Sequence, residues 1–155
     1  MTGTRARMDN TVKAIVAGAA GATALNAVTY LDMAVRARPA SSAGEDSVSK
    51  LAELAHVPLG EDKSAENRKS GLGPLLGYAT STAAAVAWTA AGGRRMPTGV
   101  SAVALTVLGM LGSNAPMTAL GVTDPRSWKA ADWVSDLVPH LAYGWVTALT
   151  LRALR

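Results

Sequence analysis

Three ionisable side chains stand four residues apart near the C-terminal end of the chain: Asp132, Asp136 and His140. On one helix, the i, i+4, i+8 spacing would put two carboxylates and an imidazole on a common face. That set could relay a proton or hold a divalent cation. The competing reading is structural. Ser135 or Asp136 would cap a helix, Pro139 would sit in its first turn, and acids favour a helix N-terminus. Two amides, Asn26 and Asn114, form a second candidate set. Each lies inside an apolar stretch, where an amide needs a hydrogen-bond partner. They are therefore expected to pair with each other between helices, with the lining of a solute path as the alternative. No nucleotide or metal motif accompanies these residues, and with no cysteine there is neither a disulfide framework nor a thiolate site. The expectation is no cofactor and no resident metal.

The elements that must position these groups follow from where the charges lie. The mean hydropathy is only +0.18, but the average hides a segregation. The 18 residues between Lys13 and Asp32, the 24 between Lys69 and Arg94, and the 28 between Arg95 and Asp124 hold no charged side chain. The same is true of the 15 from Leu137 to Leu151, which include His140. A helix rises about 1.5 Å per residue and a bilayer's hydrocarbon core is about 30 Å thick, so roughly 20 apolar residues cross it. Four spans are predicted, at about 13–33, 72–92, 99–121 and 136–154, with a polar loop at 34–71. In 155 residues a soluble fold could not bury four helices that are apolar on every face. The expected fold is an all-α integral membrane four-helix bundle forming one domain over 1–155. The basic segment before the first span resembles the start of a signal peptide, but Arg36 and Arg38 stand where a cleavage site would be, so a retained anchor is expected.

Charge also sets an orientation. The N-terminal tail, the turn at Arg94-Arg95 and the C-terminal end carry Arg5, Arg7, Lys13, Arg94, Arg95, Arg152 and Arg155 against the single acid Asp9. The two other loops are acid-rich. The positive-inside rule then places both termini in the cytoplasm, with the chain in the inner (plasma) membrane. Net charge +4 reads here as a topology signal, so no nucleic-acid partner is expected.

The two halves echo each other. Residues 70–78, SGLGPLLGY, and 135–143, SDLVPHLAY, share Ser70/Ser135, Leu72/Leu137, Pro74/Pro139, Leu76/Leu141 and Tyr78/Tyr143. Upstream, Gly21 and Asn26-Ala27 match Gly109 and Asn114-Ala115. The pattern predicts two tandem helical hairpins, with Ser70, Pro74, Ser135 and Pro139 at the starts of the second helix of each. In the outer loops, Val48, Leu51, Leu54 and Ala55 mark a short interfacial helix capped by Asp46 or Ser47. Ser127 is expected to cap another carrying Trp128, Ala131, Val134 and Leu137/Val138 on one side. Small residues recur every four positions, at Ala14, Gly18, Ala22 and Asn26 and at Gly73, Gly77, Ser81, Ala85 and Thr89, as close helix packing requires.

On Tyr30-Leu31-Asp32-Met33, Arg38-Pro39-Ala40-Ser41, Glu66-Asn67-Arg68, Thr123-Asp124-Pro125-Arg126-Ser127-Trp128 and Asp136 through Gly144, the chain resembles a group of small actinobacterial multi-pass membrane proteins of unknown function. The resemblance covers most of the chain and implies fold and location, with no activity. The reading is a structural or accessory membrane subunit, in contact with the lipid bilayer and with itself as a dimer or with a larger complex. Two alternatives are a small-solute or ion transporter working as an oligomer and a membrane-embedded enzyme using the Asp/His set.

Overall fold

The computed structural model describes residues 2–155 and is all-α, with no strand among them. Five helices follow in order: α1 (Thr2–Arg36), α2 (Ala43–Leu54), α3 (Asp62–Ala90), α4 (Thr98–Ala119) and α5 (Ala130–Ala153). One 3-10 turn, Gly93–Arg95, joins α3 to α4, and a second, Pro125–Ser127, lies between α4 and α5. Two stretches are long and apolar enough to cross a membrane, Asn10–Arg36 in α1 and Thr98–Ala119 in α4. The charge pattern predicts four. The corresponding part of α3 holds no acid and that of α5 only Asp136, but both are rich in Gly, Ser, Thr, Pro and aromatic residues, which lowers their hydropathy.

Helix α4 begins directly after Pro97 and stops just before Gly121, whose φ of 70° ends it in a left-handed turn. The starts of α3 and α5 differ from expectation, at Asp62 and Ala130 rather than near 72 and 136. Polar residues continue both helices past their apolar stretches, which charge-free runs cannot reveal. Ser70 and Pro74 on α3, and Ser135 and Pro139 on α5, therefore lie inside helices and do not start them. Each proline lacks the N–H that would bond the carbonyl four residues back, at Ser70 and Ser135. The cap of α5 is also different: the Asp132 carboxylate accepts the Lys129 N–H at 2.9 Å. Ser127, expected to cap a separate interfacial helix, lies in the 3-10 turn and donates to the Asp124 carbonyl at 2.8 Å. Trp128 precedes α5 and meets Trp133 edge to face, ring centres 4.9 Å apart. The first-loop helix, α2, starts at Ala43, so Asp46 and Ser47 are inside it. Asp46 takes the Ser42 hydroxyl at 2.7 Å, and Ser47 donates to the Ala43 carbonyl.

Helix α5 is packed between α1 and α4, α3 lies against α1, and α2 lies along α3; α3 touches α4 more sparsely than it touches α1. The close contacts run over small residues. A Cβ on Gly18 of α1 would come within 2.7 Å of the Thr82 Cα on α3, and one on Gly144 of α5 within 2.4 Å of the Ala102 carbonyl oxygen on α4. Ala14, Gly18 and Ala22 are buried, as are Gly73, Ser81 and Ala85, whereas Gly77 faces open space. The core is unusual in composition: Ala14, Ala17, Ala85, Ala102 and Ala148 with Leu105, Tyr143 and Leu151. The large apolar side chains point the other way, with Leu31 64% and Val103 62% exposed.

Candidate functional site

The most polar part of the interior lies at the end of the bundle where α1 and α4 finish and α5 begins, hereafter the upper end. Asp136 and His140, one turn apart on α5, face α4. The Asp136 Oδ2 accepts the Asn114 amide N–H at 2.9 Å. The His140 Nδ1 lies 2.7 Å from the Asp136 main-chain carbonyl and 3.4 Å from its Oδ1. A carbonyl only accepts, so Nδ1 carries a proton. The opposite nitrogen, Nε2, is 3.3 Å from the Ser113 hydroxyl, which also lies within reach of the Gly109 and Met110 carbonyls at 3.0 and 3.2 Å. His140 is buried and the Asp136 and Asn114 side chains are half-buried.

One turn deeper, Tyr143 is fully buried and its hydroxyl donates to the Ser81 carbonyl of α3 at 2.6 Å. Its ring fills the space left by two glycines that match each other in sequence. A Cβ on Gly109 would sit 3.0 Å from the ring and 3.2 Å from His140 Cδ2, and one on Gly21 would sit 2.7 Å from the ring. Thr147 is the next member, its hydroxyl oxygen buried against Gly21 without a hydrogen-bond partner. Asp136, His140, Tyr143 and Thr147 thus form one polar line down the buried face of α5, at i, i+4, i+7 and i+11. That spacing was available in the sequence and would have added Tyr143 and Thr147 to the set. Ser113 carries no such signal, because its place depends on which helix α4 faces.

Asp132, the third residue of the Asp/His set, does not join the others. Its carboxylate is used at the start of α5. No group of three or more acidic, histidine or cysteine side chains among the described residues could hold a metal ion. Asn26 and Asn114 are not paired either, since the Asn114 amide is given to Asp136. Beside the cluster, the α1 terminus carries Asp32, which takes both nearby arginines: Arg36 Nε at 2.7 Å and Arg38 Nε at 2.6 Å. Arg36 also bonds the Ser135 hydroxyl and so ties α1 to α5. Arg36 and Arg38 are thereby held by Asp32, and the Asp136 carboxylate is left with the Asn114 amide and the His140 imidazole.

The order Ser113–His140–Asp136 is that of a nucleophile, a base and an orienting acid. The geometry does not activate the serine. Both side-chain links, 3.3 and 3.4 Å, exceed the roughly 2.6–3.2 Å of a working relay, and Nδ1–H is directed to a main-chain carbonyl. What the arrangement does is clamp α4 to α5 through bonds that close on themselves.

The lower end, where α3 and α5 finish, is built differently. Arg94 in the turn after α3 bonds the Asn10 side chain of α1 and the Leu154 carbonyl beyond α5, the latter at 3.1 Å. Arg155 donates to the Arg94 and Met96 carbonyls, and Arg152 to the Thr98 hydroxyl at 3.3 Å. Among residues 10–155, the ion pairs lie at the upper end or in its loops. Comparison with known proteins found no matching family model, no matching curated protein and no matching solved structure.

Proposed function

We propose that the chain is an integral membrane protein that crosses the bilayer four times, through α1, α3, α4 and α5, and serves as a structural or accessory subunit. The observation that carries this reading is the reversed distribution of side chains. Val12, Leu31, Val35, Val103, Val107, Leu111, Trp145 and Leu149 are exposed, while alanine, glycine, serine and threonine fill the interior. In water such a fold would leave its best hydrophobic groups solvated and gain little from its core. In lipid the outward groups are matched to their solvent, and close packing of small residues holds the helices together. At 29 and 24 residues, α3 and α5 are about 43 and 36 Å long, enough for a hydrocarbon core of about 30 Å.

The lower end, with its excess of arginine, lies in the cytoplasm under the positive-inside rule, and both termini lie with it. A structural role is favoured over transport because Leu105 and Tyr143, with no exposed surface, fill the bundle between its two ends. It is favoured over catalysis because Ser113, Asn114, Asp136 and His140 are bonded to one another and to main-chain carbonyls. The test is extraction of native membranes bearing the tagged chain, first with alkaline carbonate and then with mild detergent. The chain stays in the membrane through the carbonate wash and leaves in detergent as a complex with a second copy or a larger partner. Release into the carbonate supernatant would end the membrane assignment, and a detergent-solubilised monomer with no partner would end the subunit assignment.

A further inference from the structure

The arginine end holds a cleft that the clamp at the other end does not use. Asn10 and Thr11 of α1 and Val86, Thr89 and Ala90 of α3 line a cavity of about 230 Å³. That is below the roughly 300–1,000 Å³ of sites for drug-sized molecules, which suits a small polar headgroup. One wall carries an unsatisfied donor. Thr23, Thr80, Thr106, Thr118 and Thr150 each give their hydroxyl to the carbonyl four residues back. Thr89 does not, and its buried hydroxyl oxygen has no partner. A buried hydroxyl without a partner costs free energy, so something outside the fold is called for.

Cations stand at the same end of the bundle. Arg94 is bonded to Asn10, a lining residue, Lys13 comes three residues after Asn10 in α1, and Arg95 follows Arg94 in the chain. Arg94, Arg152 and Arg155 are bonded to carbonyl, amide and hydroxyl oxygens, which orient a guanidinium without neutralising it. This differs from the upper end, where Asp32 answers Arg36 and Arg38.

We infer that the cleft between α1 and α3 binds the phosphate-bearing headgroup of an anionic phospholipid of the cytoplasmic leaflet. The phosphate meets the Arg94, Arg95 and Lys13 cations, a charge-assisted contact for which arginine is well shaped. The headgroup supplies an acceptor for the Thr89 hydroxyl, and the acyl chains lie along the apolar outer faces of α1 and α3. The inference rests on the membrane reading and fails separately from it.

The test is native mass spectrometry of the detergent-purified full chain, offered phosphatidylglycerol and phosphatidylcholine in equal amounts. The expected result is at least tenfold preference for phosphatidylglycerol. The double substitution Lys13→Gln and Arg95→Gln, which removes two of the three cations, abolishes most of that preference. Thr89→Val, close in shape, lowers phosphatidylglycerol retention severalfold with unchanged thermal stability. Equal retention of the two lipids overturns the inference, as does a preference that survives both variants. Displacement of the lipid by millimolar inorganic phosphate would also overturn it, by making free phosphate the ligand. A chain that needs no detergent to stay soluble would instead overturn the membrane reading beneath it.

Discussion

Tyr78 and Tyr143 close two nine-residue segments that match at five positions, but they do different things. Tyr143 is fully buried, held between Gly21 and Gly109, and bonded to the Ser81 carbonyl at 2.6 Å. Tyr78 is half-buried and its hydroxyl lies 3.3 Å from that of Thr23. The cause is the setting of their helices. Helix α5 is enclosed by α1 and α4, whereas α3 leans on α1, is covered by α2 near Gly73, and touches α4 only loosely. The same contrast separates Asn114, bonded to Asp136, from Asn26, and Ser135, tied to α1 by Arg36, from Ser70, tied to Glu45 of α2. Similar segments therefore acquire different roles from their neighbours: the α5 copy fastens the bundle, and the α3 copy is left with an open side.

The largest effect that sharpens this contrast comes from filling the glycines of the two helices. A Cβ on Gly144 would lie 2.2 Å from the Thr106 hydroxyl and 2.4 Å from a main-chain oxygen, while one on Gly77 would meet nothing within 4 Å. Gly144→Leu is expected to destabilise by about 3 kcal/mol or more, at or beyond the upper end of overpacking costs. Gly77→Leu should stay within about 0.5 kcal/mol, as surface changes do. Thermal unfolding in detergent reads both. Equal losses at the two positions would mean that α3 is as enclosed as α5.

A smaller effect is expected at the tyrosines themselves. Tyr143→Phe removes the bond to Ser81 and should cost about 1–2 kcal/mol. Tyr78→Phe should cost less than about 0.5 kcal/mol, because Thr23 already donates to the Ala19 carbonyl and the tyrosine bond is long. The comparison breaks if the two substitutions cost the same.

Much of the bundle was legible because charge and apolar runs report directly on solvent. Helix α4 was expected at 99–121 and spans Thr98–Ala119, its ends marked by Pro97 and Gly121. The starts of α3 and α5 were missed because Pro74 and Pro139 look like first-turn prolines, and nothing local says that a polar segment upstream continues the helix. Asp136 and His140 on one face of α5 followed from helical spacing. Their partners did not, since periodicity gives the face of a helix but not which neighbour it meets. For that reason spacing pairs Asn114 with Asn26 and groups Asp132 with Asp136 and His140, whereas Asn114 bonds Asp136 and Asp132 accepts the Lys129 N–H at the start of α5.

The smallest expected effect tests those partners. Alanine substitutions of Asn114 and Asp136, singly and together, should show a coupling of roughly 0.5–1.5 kcal/mol. The same cycle on Asn26 and Asn114 should be additive within about 0.5 kcal/mol. Coupling between the two asparagines, with none between Asn114 and Asp136, would reverse the assignment.

The absence of cysteine allows the four-span arrangement to be tested with single cysteines and a membrane-impermeant maleimide on intact cells. Ser64→Cys before the second span and Ser127→Cys before the fourth should be labelled from outside. Arg95→Cys in the lower turn should react only after permeabilisation, and Val103→Cys on the exposed apolar side of α4 should be poorly reactive in both conditions. Labelling of Arg95→Cys and Ser64→Cys from the same side, or ready labelling of Val103→Cys in a water-soluble fraction, would contradict the account.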